Sequence, residues 1–304
     1  MGKIFGERGF VTIATGQERY YMLARNLLRS YRRFTDAPVP FAIIADRENE
    51  YTAEFDHAIV IPDASNSYND KLKLFRELPF EETIFVDADS LAYGDLNAWW
   101  DIFKSTSDFS LFGYAWRDLD CGRGWFVPSG MGKFKDQITF IPDFNGGVYY
   151  IRNTDACKKV FDIANYCASH YEQYHFNGFS TPADEPVLAL GMAVCGFEPI
   201  NKDDELIFAP RSRQLDADIS IPKAIFIKNK QVRYPVRLIH FSNYRTQLSF
   251  YRSEVAKLTR SADDSDKHME PIIDAARAIG CRLYDVIPFS KRVLRKVKRI
   301  IHKC

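Results

Sequence analysis

Residues 83–90 read Thr83-Ile84-Phe85-Val86-Asp87-Ala88-Asp89-Ser90. The β-branched and aromatic run favours a buried strand, and the strand must stop where the carboxylates begin. One residue apart beyond a strand end, Asp87 and Asp89 can both turn towards one ion. Hard oxygen ligands of this kind suit Mn²⁺ or Mg²⁺. The same Asp-x-Asp spacing also makes an ordinary Asx-turn after a strand, so the pair needs context.

Upstream, Phe10–Thr15 is a short apolar run closed by Gly16, and it predicts a buried strand. Tyr20, Tyr21, Leu23, Ala24, Leu27, Leu28 and Tyr31 then recur at helical spacing, with Pro38 after them. Phe41–Ala45 and Ala58–Ile61 predict two further strands, and Leu72, Leu74, Phe75 and Leu78 a helix stopped by Pro79. This alternation predicts an α/β fold with a mostly parallel central sheet and helices on both faces. Ligands of such sheets bind beyond the carboxyl ends of the strands, where Gly16 and Asp87 both fall.

Downstream, Trp116–Asp143 is rich in Gly, aromatics and charge, a composition expected of a mobile lid or substrate loop. Val148–Ile151 predicts a strand and Thr154–Tyr171 a helix. A second helix is expected from Asp184, with Pro186 in its first turn, and a late strand at Arg237–Phe241.

The 304 residues are 46% hydrophobic and 27% charged, which supports a large core. A net charge of +1 gives no reason to expect nucleic acid. The charge is uneven, however. Residues 289–304 hold seven Lys and Arg and no acid, leaving the remainder with six more acids than bases. Met1–Phe10 lacks the apolar stretch of a secretion signal, and no 18-residue apolar run occurs. Six cysteines (121, 157, 167, 195, 281 and 304) show no C-x-x-C spacing and read as reduced thiols, pointing to a cytoplasmic protein. The organisation expected is one domain over 1–265 and a helical appendage over 266–304.

Other segments carry candidate chemistry, each with a plainer alternative. Tyr20 is either a ligand-stacking or a packing aromatic, and Lys71 either an anion ligand or a solvated helix residue. Asn145-Gly146-Gly147 suits a turn with positive φ. Asp184 and Glu185 are expected near a helix N-terminus, which favours negative charge. His240 ends an apolar run, where a hydrogen-bonded core histidine is equally ordinary.

Taken in order over residues 10–245, these segments resemble the GT-A glycosyltransferases, particularly the retaining family of glycogenins and bacterial lipopolysaccharide galactosyltransferases. Ala14-Thr15-Gly16 with Tyr20 resembles that family's nucleoside-binding loop, and Lys71 its basic residue facing the donor. Asp87-Ala88-Asp89 matches its metal motif and His240 its third metal ligand. Phe144-Asn145-Gly146-Gly147-Val148 is similar to its segment beside the donor sugar, and Asp184-Glu185 to a pair near the reacting carbon. The resemblance implies a GT-A fold and transfer of a hexose from a UDP-sugar to a glycan or lipid-linked acceptor, with retention. It further implies Mn²⁺ or Mg²⁺ on Asp87, Asp89 and His240, with Glu185, Asp184 and Asn145 at the reacting centre.

Two departures stand out. Asn243 and Thr246 occupy positions where the family commonly has diphosphate-gripping Gly and Lys, and Arg245 lies one residue short of the latter. Glu185 stands where the family often has Gln; another retaining GT-A family, the blood-group and α-1,3-galactosyl transferases, places Glu there. Two other readings remain. A haloacid-dehalogenase-like phosphatase also ends a strand in Asp-x-Asp, but usually near the N-terminus. A non-catalytic nucleotide-sugar-binding module would keep the fold without turnover.

At the C-terminus, Phe289, Val293, Leu294, Val297, Ile300 and Ile301 form one apolar stripe at helical spacing, and basic residues fill the other face. Such a helix is too short to span a bilayer but suits an anionic membrane interface. It equally suits docking on the body. The membrane reading places a cytoplasmic protein peripherally on the inner face of a membrane.

Overall fold

A computed structural model of the chain describes residues 2–104, 107–202, 204–208, 214–228 and 232–260. The expected appendage and its basic helix over 289–304 lie outside the described residues.

The strands and helices run in the order β1 (Gly6–Ala14), α1 (Glu18–Arg33), β2 (Phe41–Ala45), β3 (His57–Val60), β4 (Phe80–Val86), β5 (Ser90–Ala92), α2 (Ala98–Lys104), β6 (Phe109–Ser110) and β7 (Gly113–Trp116). There follow β8 (Ile141–Phe144), β9 (Val148–Arg152), α3 (Asp155–Ser169), α4 (Asp184–Cys195), β10 (Leu206–Phe208), β11 (Leu215–Asp218), β12 (Lys223–Lys228), β13 (Val232–Pro235), β14 (Leu238–His240) and α5 (Ser249–Arg260).

The main sheet has the order β3-β2-β1-β4-β9-β6. The pairings β3–β2, β2–β1 and β1–β4 are parallel, whereas β9 runs antiparallel to both β4 and β6. Both faces are buried, which is why the strands read as continuous apolar runs rather than alternating ones. Phe41, Ile43, Ala45, Ile84, Val86 and Tyr150 point into the core beneath α1 and α2. Their neighbours Ala42, Ile44, Phe85, Tyr149 and Ile151 point into the core beneath α3 and α4. The mostly parallel α/β sheet expected from the sequence is therefore present.

Local chemistry sets the helix limits. The Thr154 hydroxyl accepts from the Cys157 N–H and caps α3. Helix α4 starts at Asp184, carries Pro186 in its first turn and ends before Gly196 in the left-handed conformation.

Two expectations are corrected. The segment around Leu72–Leu78 contains no α-helix; it forms the 3-10 helix Tyr68–Lys73 followed by turns. The cause is Asp70, whose buried side chain gathers hydrogen bonds from Thr15, Ser65, Asn66 and Lys73 and holds the backbone in a tight coil. The stretch between Trp116 and Asp143, expected as a mobile lid or substrate loop, is packed in part rather than loose throughout. Its 3-10 turns Pro128–Gly130 and Gly132–Gln137 anchor Phe126, Met131, Phe134 and Ile138 in the second core.

Candidate functional site

The chain leaves β4 at Val86 and re-enters extended structure at Ser90, so Asp87, Ala88 and Asp89 make the crossing between two sheets. The second sheet, β10-β14-β5, pairs β14 antiparallel to β5 with His240 opposite Ser90. The Phe241 N–H donates to the Asp89 carbonyl at 2.9 Å. This register delivers His240 to the two aspartates from more than 150 residues downstream. His240 Nε2 lies 2.9 Å from Asp89 Oδ1 and 3.5 Å from Asp87 Oδ2.

Among the described residues, Asp87, Asp89 and His240 offer three ligand atoms all within 4.8 Å of one another. Asp89 Oδ1 is buried and has no hydrogen-bond partner of good geometry despite its closeness to the imidazole. A buried carboxylate oxygen in that state is costly unless a cation completes it. Two carboxylates and one imidazole form a donor set that fits Mn²⁺ or Mg²⁺, and the residues present therefore suit a divalent ion.

Behind the triad sits Lys71. Its Nζ donates to Asp87 Oδ2 at 2.7 Å and to the Gly146 carbonyl at 3.2 Å, and lies 3.1 Å from Asp184 Oδ2. Burial works against its charge, but Asp184 and Asp87 outweigh it and hold the ammonium protonated. Tyr149 donates to Asp184 Oδ2 at 2.7 Å. The two acids of α4 thus face the site rather than capping their helix.

Glu185 Oε1 accepts from the Gly146 N–H at 2.7 Å and from Asn145 Nδ2 at 3.1 Å. Asn145 Oδ1 is 2.6 Å from His240 Nδ1. Since a carboxylate only accepts, the Asn145 amide nitrogen must face Glu185 and its oxygen must receive the His240 Nδ1–H. That tautomer leaves Nε2 to face the aspartates.

The titrating groups respond to this crowding. Burial, then the Asp184 charge, pushes Glu185 up to about 7. Burial also raises Asp87, against the pull of Lys71. Burial opposes ionisation of Asp89, but His240 prevails and lowers it; reciprocally, burial opposes protonation of His240 and Asp89 prevails to raise it.

The glycines serve close approach rather than turn geometry, since neither Gly146 nor Gly147 has positive φ. A Cβ at Gly147 would stand 2.6 Å from His240 Nδ1, and one at Gly146 would stand 2.5 Å from the Tyr149 hydroxyl.

The nucleoside-loop residues lie at the end of β1. Ala14 and Thr15 are buried, with Thr15 donating to Asp70 at 2.9 Å. Gly16 takes φ +77 and donates its N–H to Asp46 Oδ1 at 3.1 Å. Tyr20 is 43% exposed and available to a ligand, whereas its neighbour Tyr21 is buried and donates to Asp46. Ala88 is buried between the two aspartates. Arg245 lies in the 3-10 turn Asn243–Gln247 beyond β14.

The structure therefore brings Lys71, Asp87, Asp89, Asn145, Gly146, Asp184, Glu185 and His240 into one connected group. The sequence reading missed Asp46, Asp70 and Tyr149. Asp46 directly follows the Phe41–Ala45 run, the same strand-end signal that singled out Asp87. Asp70 and Tyr149 carried no signal beyond adjacency to Lys71 and to the Asn-Gly-Gly segment.

No protein-family model and no curated protein sequence matches the chain. Solved structures do. A crystal structure of the galactosyltransferase LgtC, in complex with donor and acceptor sugar analogs, is 15% identical over 86% of this chain and 98% of that one, with a TM-score of 0.50. An active-site Gln-to-Glu mutant of LgtC shows the same identity and coverage with a TM-score of 0.51. The chain has the fold of these transferases, the GT-A fold its motif order leads one to expect.

Proposed function

We propose that the protein is a glycosyltransferase that moves a hexose from a UDP-sugar to a glycan or lipid-linked acceptor, with retention of configuration. The convergence of Asp87, Asp89 and His240 on one point, joined through Asn145 to Glu185, carries this reading. It is supported by the likeness in fold to LgtC, a galactosyltransferase described with donor and acceptor sugar analogs.

Asp87, Asp89 and His240 would hold Mn²⁺ or Mg²⁺, and the bound ion would supply neutralisation of a departing diphosphate. Lys71 holds Asp87 and Asp184 in place with its buried ammonium, so the acidic group does not repel itself apart. Ala14, Thr15, Gly16 and Tyr20 stand at or just beyond the end of β1, where a nucleoside would sit with the exposed Tyr20 ring for the base, and Gly146 and Asn145 would lie beside the sugar. Arg245, in the turn Asn243–Gln247 beyond His240, would add positive charge for the diphosphate.

Glu185 is the residue assigned to the anomeric carbon. Both of its hydrogen bonds fall on Oε1, which fixes the carboxylate plane and directs Oε2 as the free edge. As a carboxylate it would stabilise or trap the oxocarbenium-like carbon on the face opposite the leaving group, the requirement for retention by two displacements. LgtC is described with a Gln-to-Glu change in its active site; this chain carries Glu185 natively.

Among the described residues no helix is long and apolar enough to cross a membrane. The basic stripe of 289–304 supports peripheral attachment of a cytoplasmic enzyme to an anionic membrane, beside a lipid-linked acceptor. Truncation after Pro288 is expected to abolish sedimentation with anionic vesicles and to spare donor hydrolysis.

The test of function is a panel of nucleotide sugars incubated with Mn²⁺ and assayed for free nucleoside diphosphate, with an aryl phosphate alongside. Release from a UDP-hexose, stimulated by acceptor, is expected. Hydrolysis of the aryl phosphate alone would establish the phosphatase reading, and binding of a nucleotide sugar without release would establish the binding module.

A further inference from the structure

The acidic floor of the site raises a question of charge. Asp87, Asp89, Asp184 and Glu185 are four carboxylates joined by short contacts, with Lys71 committed to Asp87, Asp184 and the Gly146 carbonyl. A divalent ion and Lys71 together offset three of the four. A donor diphosphate adds further negative charge, so the site needs cations besides these, of which Arg245 in the turn Asn243–Gln247 would be one.

Arg19 is placed to supply another. It is the second residue of α1 and stands three residues after Gly16 at the end of β1. Its Nη2 donates to Thr246 Oγ1 at 2.5 Å, across 227 residues of sequence. Thr246 is buried in the turn Asn243–Gln247, which begins three residues after His240. The exit from His240 is itself tied to the aspartate loop through the Phe241–Asp89 backbone bond. The guanidinium therefore bridges the first strand-to-helix loop and the chain leaving the candidate metal ligand.

We propose that Arg19 is a binding residue for the diphosphate of the nucleotide donor, aimed by its hydrogen bond to Thr246. This rests on the sugar-transfer reading above. A guanidinium presents five N–H donors in a fixed fork that matches phosphate oxygens, and the hydrogen bond to buried Thr246 fixes its orientation. The contact of the same guanidinium with the Tyr20 ring, 5.9 Å from its centroid, defines the competing role, support of the base.

The experiment separates them. UDP and uridine are titrated calorimetrically, with Mn²⁺ present, into the full-length protein and its Arg19→Ala, Arg19→Lys and Thr246→Val variants, after circular dichroism has shown each to be folded. Arg19→Ala is expected to weaken UDP by about 10–100-fold and uridine by less than about 2-fold. Arg19→Lys keeps the charge but loses the fork, and falls between; Thr246→Val loses only the anchor and weakens UDP by about 3–10-fold. Equal losses for UDP and uridine would overturn the diphosphate assignment in favour of the base. Unchanged UDP affinity in Arg19→Ala would overturn it outright while leaving the sugar-transfer reading intact. Wild-type protein that binds no UDP at all would overturn both.

Discussion

Asp70, fully buried, and Asp89, half-buried, are aspartates on the same strand-end rim, and the protein treats them in opposite ways. Asp70 receives donors from Thr15 Oγ1, Ser65 N, Ser65 Oγ, Asn66 N and Lys73 Nζ, all between 2.7 and 2.9 Å. Burial opposes its ionisation, yet Lys73 and the other donors prevail and hold its carboxyl below the ordinary value. Asp89 has its buried Oδ1 faced only by the His240 imidazole at 2.9 Å and a like charge two residues away. The first carboxylate is completed by the chain and builds structure. The second stands with Asp87 and His240 in a donor set that suits a divalent ion.

The largest effect expected from breaking this contrast is on turnover. Asp89→Ala should lower transfer by about three orders of magnitude, the several kcal/mol that a bound metal supplies to a leaving group. The same variant in EDTA should lose less thermal stability than Asp70→Ala does. Steady-state rates and melting curves on both variants check the pair of statements. Near-normal turnover in Asp89→Ala would erase the contrast.

Glu185→Gln comes next, with kcat expected to fall about 10²-fold and the donor KM to change little, because the group acts mainly in the transition state. Its stability should move the other way. Glu185 titrates near 7 in the fold against an ordinary 4.5, so its stabilising contribution is present below about pH 4.5 and is lost as pH rises through 7. Metal-free Glu185→Gln should therefore be more stable than the wild type at pH 8, by roughly 1–3 kcal/mol, with the advantage vanishing near pH 4. Chemical denaturation at the two pH values measures this, and an advantage independent of pH would contradict it.

Asp70→Ala sharpens the structural side. It leaves donors from Thr15, Ser65 and Asn66 without their acceptor, and should cost about 2–4 kcal/mol of stability. Because it also releases the coil that carries Lys71, a rise in donor KM should accompany the loss. The smallest effect expected is from Gly147→Ala. Its Cβ would push on His240 Nδ1 and should weaken Mn²⁺ by about 10-fold, with little change in melting temperature in EDTA.

The sequence made one side of this contrast visible. Thr83–Val86 ends in Asp87 because an apolar run must stop at a charge, and the central strands followed from the same logic. The order of the motifs also located His240 and Glu185, though neither says from local pattern where it points. What joins them is the pairing of β14 with β5, which sets His240 against Ser90; such pairing is non-local and leaves no periodic trace. The 3-10 coil at Tyr68–Lys73 was illegible for a related reason. Leu72, Leu74, Phe75 and Leu78 carry helical spacing, but the hydrogen bonds that decide the backbone come from Thr15 and Ser65. Arg19 and Thr246 meet only once the two ends of the site have come together.

The proposed metal site requires that Asp87, Asp89 and His240 take up an ion. Mn²⁺ titrated into the protein in the presence of UDP, with free Mn²⁺ followed by electron paramagnetic resonance, tests this directly. One ion per chain is predicted, with binding lost in Asp89→Ala and retained in a folded Asp70→Ala. No bound ion, or equal uptake by wild type and Asp89→Ala, would contradict it.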